Sequence, residues 1–142
     1  MQVFIIGTPF ETAMVLDKKR KHKQWIEIQQ ILDALNGKIA WNNHPCTLQY
    51  KGHEKWLMYY RTVIEYLNMD MMEQAKAISD LADSIKPPFH TQEYFYQMMR
   101  RLYTKDKEHY KQWAGLGTSS QNWYWSQKEN KFIKYVNGKR IN

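Results

Sequence analysis

Apolar residues recur at three- and four-residue spacing through most of this chain, the period of amphipathic helices. The longest such run extends from Asp17, a favourable N-cap residue, to Asn36, with Gly37 as its stop signal. Ile28, Ile31, Leu32 and Leu35 mark its inward face. A second helix is predicted over His53 to Asn68, on the spacing of Trp56, Leu57, Tyr60, Val63, Ile64 and Leu67. Met71, Ala75, Ile78, Ala82 and Ile85 define a third, over 71–85, which Pro87 and Pro88 end. A fourth, from Thr91 to Thr104, turns Phe95, Met98, Met99 and Leu102 inward, and a short helix covers Lys107 to Trp113.

The pattern changes at both ends. Val3 to Ile6 reads as a short buried extended segment, closed by Gly7 and Pro9 and followed by a turn of helix over Glu11 to Leu16. Between the first two long helices, IAWNNHPCTLQYKG is a loop, because Asn42, Asn43, Pro45 and Gly52 disfavour regular structure. GLGTSSQN is another loop. Beyond it, NWYWSQKENKFIKYVNGKRI alternates in polarity, and Asn137-Gly138 is a hairpin-type turn. The expected fold is mainly α: residues 1–142 form one compact helical bundle of three or more helices, with a small C-terminal β-hairpin.

Composition narrows this picture. At 142 residues the chain suits a single core. Lys and Arg total 21 against 14 Asp and Glu, a formal charge of +7, which favours a polyanionic partner. An aromatic content of 15% is too high for a disordered basic tail. The single cysteine, Cys46, excludes an internal disulfide and a Cys-rich zinc site and fits a reducing cytoplasm. The N-terminus lacks the pattern of a signal peptide, and no apolar run approaches the ~20 residues needed to span a bilayer. A cytoplasmic protein with no membrane association is expected.

Candidate chemistry concentrates in LDKKRKHKQWIEIQQIL, at Leu16 to Leu32. Basic residues near a helix N-terminus repel its dipole by about a few tenths of a kcal/mol each. The run is therefore either a solvated face or a seat for phosphates formed by Lys18, Lys19, Arg20 and Lys23. At ~100° per residue, Arg20, Gln24, Glu27 and Ile31 share one side of the helix, with Glu27 at the border of the apolar face. A carboxylate there is either a partly desolvated group suited to proton transfer or cation stabilisation, or a surface acid paired with Lys23. His22, His53, His90 and His109 lack a shared zinc-site spacing, so no metal is expected, and no motif calls for a cofactor. Trp123, Tyr124 and Trp125 suit either stacking on nucleic-acid bases or an aromatic mini-core under the hairpin.

Several motifs occur in one order: MQ-F at the start, LD-KR--KQ--E--QIL-AL-G in the first helix, W-NHP----Y-G-E at 41–54, PPF at 87–89 and KD-EHY at 105–110. With them the chain resembles the pyrimidine dimer DNA glycosylase family of small UV-damage endonucleases. The resemblance implies a compact, mainly helical domain and, as partner, double-stranded DNA carrying damaged pyrimidines. It implies that an N-terminal α-amine attacks the sugar C1′, expels the base as an imine forms, and then cleaves the strand by β-elimination, supported by a glutamate on the first helix. The matching residues are Met1 and Gln2 at the amine and Glu27 on the helix. Met removal normally requires a small second residue, so Gln2 implies that Met1 is retained and its own amine serves.

In the same way Arg20 falls at a DNA-contacting position, and Arg100 and Arg101 keep the stretch before KD-EHY basic. His44 of NHP is placed to meet a phosphate or the active site, or to fix its loop by a hydrogen bond ahead of Pro45. The corresponding function is a DNA repair glycosylase with abasic-site lyase activity. The competing expectations are a non-catalytic DNA-binding module on the same fold and a helical interaction domain without a nucleic-acid role.

Overall fold

The computed structural model describes residues 1–142. Six α-helices precede a small sheet: α1 (Pro9–Val15), α2 (Lys18–Leu35), α3 (Pro45–Gln49), α4 (Glu54–Asn68), α5 (Met72–Ser84) and α6 (Gln92–Lys105). A 3-10 turn at Lys111–Leu116 then leads to β1 (Asn122–Ser126), β2 (Lys131–Val136) and β3 (Lys139–Arg140). The mainly helical fold expected from the periodicity is present.

Helix α4 lies at the centre, packed against α1, α2 and α5, while α3 and α6 meet β1. The core joins all of these elements and the N-terminal arm: Val3, Ile5, Ile28, Ile31, Leu57, Tyr60, Ile64, Met98 and Leu102 are fully buried. Burial of each such side chain contributes on the order of 1.5–3 kcal/mol, so this junction largely decides the arrangement of the helices.

Local starts and stops differ from expectation where proline is involved. Pro9 does not end the first segment; it begins α1, behind a capping box in which Thr8 and Glu11 satisfy each other's backbone N–H groups. Pro45 likewise opens α3 inside the stretch expected to be a loop, with His44 as N-cap. At the first helical position proline's missing N–H costs nothing and its fixed φ is helical, so both prolines are start signals.

Two further corrections and one extension concern the second half. Ile85, expected inward, lies beyond the last turn of α5 and is exposed. The helix expected over 107–113 is displaced to the 3-10 turn at Lys111–Leu116. The expected hairpin is part of a three-stranded antiparallel sheet in the order β1-β2-β3. Asn137 and Gly138 form the β2–β3 turn, with φ of 51° and 77°, the left-handed pair that a type I′ turn requires.

Candidate active site

The site begins with the N-terminal arm, a buried extended segment that pairs with no strand. Its backbone polar groups must still find partners, and distant side chains supply them. Gln24, buried on α2, accepts from the Phe4 N–H at 2.6 Å and donates to the Gln2 carbonyl at 3.2 Å. Tyr60 of α4 donates to the Phe4 carbonyl at 2.7 Å, and Thr12 Oγ1 accepts from the Ile6 N–H at 3.0 Å. Tyr124 of β1 donates to the Met1 carbonyl at 2.9 Å. The arm is thereby fixed in register along α2, one turn from Glu27.

Glu27 Oε2 accepts from the Gln2 backbone N–H at 3.2 Å. The i to i+4 ion pair with Lys23, the surface reading of this carboxylate, does not form within 4.0 Å. Consecutive backbone nitrogens are separated by less than the 3.80 Å between Cα atoms, which puts the α-amine of Met1 within ~7 Å of the carboxylate. The amine's charge also acts on His44 and Cys46, helping to hold the His44 imidazolium below its ordinary pKa after the larger effect of burial.

Met1, Gln2, Arg20, Lys23, Gln24 and Glu27 line one cavity of about 70 Å³, together with Phe4 and, from the other end of the chain, Arg101, Lys105 and Asn122. Glu27 is its only carboxylate. Arg20, Lys23, Arg101 and Lys105 make no ion pair within 4.0 Å. Arg101 is instead held by neutral acceptors, its Nε donating to Asn122 Oδ1 and its Nη1 to the Ser119 carbonyl, both at 3.0 Å. The Lys105 ammonium is pulled down to about 8, by partial burial first and then by the charges of Arg101, Arg20 and Lys23, with Glu27 opposing. The arrangement is a nearly uncompensated cationic hollow with one carboxylate beside the chain's first peptide unit. Electrostatically it suits a polyanion and a reaction that develops positive charge near Glu27.

The predicted site residues separate into two groups. Met1, Gln2, Arg20, Lys23, Glu27 and Arg101 meet at the cavity. Lys18 and Lys19 are exposed on the first turn of α2, outside its lining. Arg100 donates to the Leu116 carbonyl at 2.9 Å and supports the loop before β1. His44 Nδ1 accepts from the Cys46 N–H at 3.0 Å, the loop-fixing bond ahead of Pro45, while the ring packs edge-on against Trp41 and Tyr124. Gln2 is itself buried, and its side-chain amide donates to the Trp123 carbonyl at 3.3 Å. Trp123 and Tyr124 are buried and Trp125 packs on Phe89 and Phe132, which makes them the mini-core rather than an open stacking surface.

Gln24, Lys105 and Asn122 were not singled out as site residues by the sequence pattern. A glutamine on the apolar side of α2 was the available signal for the first; nothing local places the other two at the cavity. The KD-EHY motif also has a structural part: Tyr110 hydrogen-bonds Asp17 at the start of α2, and His109 Nε2 lies 2.9 Å from the Val15 carbonyl. These contacts carry the end of α6 to the start of α2.

No group of three or more His, Cys, Asp or Glu side chains is placed to hold a metal ion, and no helix is long and apolar enough to cross a membrane. No curated protein and no solved structure matches the chain. The family model described as pyrimidine dimer DNA glycosylase matches residues 1–67, a span holding the arm, Arg20, Lys23, Gln24, Glu27 and the NHP motif. Over that span, which builds the cavity's α2 wall, the chain is similar to the pyrimidine dimer DNA glycosylase family.

Proposed function

We propose that the protein is a DNA repair glycosylase with abasic-site lyase activity on damaged pyrimidines in double-stranded DNA. The observation that carries this reading is the 3.2 Å contact between Glu27 and the Gln2 backbone nitrogen in a cationic cavity. An α-amine has an ordinary pKa of about 7.7–8.0, so roughly a tenth of it is an unprotonated nucleophile at pH 7. Its lone pair attacks C1′ of the damaged nucleotide, and the glycosidic bond breaks with its electrons leaving on the base, which takes up the proton the amine loses. The C1′–O4′ bond then opens with O4′ taking a proton from solvent, which leaves a protonated imine. Glu27 stabilises the cationic sugar, then takes the C2′ proton as the 3′ phosphate is expelled. Water hydrolyses the imine and frees the amine.

The Met1 amine is the nucleophile in this scheme. If Met1 is removed, the nitrogen of Gln2 already stands at Glu27, and its side-chain amide, bound to the Trp123 carbonyl, is held from cyclising onto it. Arg20, Lys23 and Arg101 hold the strand's phosphates, with Lys18 and Lys19 farther out along α2. His44 and Arg100 act by fixing loops.

Borohydride reduction in the presence of DNA carrying a pyrimidine dimer or an abasic site should trap a covalent complex at the N-terminal residue. Absence of any adduct with an unblocked N-terminus sinks the enzymatic reading. The unpaired cations by themselves also favour a DNA-binding module without chemistry, which predicts salt-sensitive binding to DNA and no strand cleavage.

A further inference from the structure

Lys105 is the one cation lining the cavity to which the proposed reaction gives no part. It stands at the C-terminal end of α6, where the helix dipole favours an ammonium. Its other surroundings oppose one. Arg101 lies one turn earlier on the same helix, Arg20 and Lys23 face it from α2, and Glu27, the only carboxylate lining the cavity, lies beyond 4.0 Å. The two arginines cannot relieve this repulsion by losing a proton; a lysine amine can. Crowded cations activate lysine nucleophiles by this route.

We infer that Lys105 Nζ is a second imine-forming amine of this cavity, able to capture the C1′ aldehyde of an abasic site. The inference rests on the abasic-site lyase reading above. The Nζ lone pair adds to the C1′ carbonyl carbon, whose oxygen takes up a proton, and the carbinolamine loses water to give the protonated imine. Glu27 accepts the C2′ proton, the new C–C double bond forms, and the C3′–O bond breaks with its electrons leaving on the phosphate. Water returns the free amine and an unsaturated aldehyde, and Glu27 releases its proton to solvent. With its pKa near 8, Lys105 has roughly a tenth of its amine unprotonated at pH 7, the same fraction as an ordinary α-amine. Its position owes nothing to the processing of Met1.

The test is borohydride trapping of the full chain on a duplex with one abasic site, followed by proteolysis and mass mapping of the adduct. Adducts are expected on both the N-terminal residue and Lys105, in shares within about tenfold of each other. Lys105→Met and Lys105→Arg should both abolish the second adduct and keep the first, with DNA affinity preserved in the arginine variant. Adduct confined to the N-terminal residue, or found on another lysine, overturns the role of Lys105 and leaves the lyase reading intact. No adduct at either amine overturns both.

Discussion

The two walls of the cavity are built in different ways. The α2 wall is local: Arg20, Lys23, Gln24 and Glu27 follow one another along one side of a single helix, and the arm lies against it by hydrogen bonds to Gln24 and Glu27. The opposite wall is assembled from α6 and β1, with Arg101, Lys105 and Asn122 brought from the far end of the chain. One wall supplies the carboxylate and the N-terminal amine; the other supplies Arg101, its hydrogen-bonded support and Lys105. In the proposed reaction the first wall sets the register of Glu27 and the N-terminal amine, and the second adds positive charge and the inferred second amine.

The largest separation between the walls should come from Glu27→Gln. In the proposed reaction Glu27 stabilises the cationic sugar and takes the C2′ proton, so its loss should lower turnover by about 10²–10⁴-fold. DNA affinity, measured by fluorescence anisotropy, should stay the same or rise, because the cavity loses its only negative charge.

Gln24→Leu breaks the construction of the same wall. It strands the Phe4 N–H and the Gln2 carbonyl in the interior, at ~1–3 kcal/mol for each unmade bond. Urea unfolding should report a loss of about 2–4 kcal/mol, and trapping at the N-terminus should fall even where the variant is folded. A change below ~0.5 kcal/mol would mean that the arm does not depend on Gln24.

The joint between the walls is Asp17, whose carboxylate caps α2 through the Arg20 N–H at 3.3 Å and also receives the Tyr110 hydroxyl. Asp17→Ala should cost about 1–2 kcal/mol in unfolding free energy, seen as a lower denaturant midpoint. Arg101→Ala addresses the second wall alone. It should weaken DNA binding and reduce the slope of log affinity against log salt by about 1, with little effect on turnover at saturating DNA.

The smallest effect should be the pH dependence of binding due to Lys105. Its pKa is lowered to about 8 from 10.5, so the charge that attracts phosphate is present at pH 7 and lost as pH rises through 8. DNA affinity should fall a few-fold between pH 7 and 9, on the order of one phosphate contact. Lys105→Arg, charged throughout, should remove that step.

How far these features could be seen in the sequence depends on how local their causes are. Asp17 is an N-cap because its side chain reaches the Arg20 N–H three residues on, and Asn137-Gly138 turns because both residues adopt positive φ. Both were legible. Pro9 and Pro45 are equally local, but proline both ends and begins helices; the deciding signals were the Thr8-to-Glu11 capping box and the His44 side chain. The face carrying Glu27 was visible from helical periodicity. That its partner is the Gln2 peptide rather than Lys23 was not, because an i to i+4 ion pair is compatible with the same spacing.

By itself the sequence determined the helices, the inward face of α2, the final turn and the excess of positive charge, since each follows from residues within a few positions of one another or from simple summation. Only the tertiary structure decided that the N-terminal arm is held by Gln24, Tyr60 and Tyr124, that Lys18 and Lys19 stay outside the cavity, and that Arg101 and Lys105 complete it. The physical reason is the arm's unpaired backbone. An extended segment without a neighbouring strand must satisfy its N–H and C=O groups with whatever side chains the packed core brings within reach. No local pattern encodes which side chains those are.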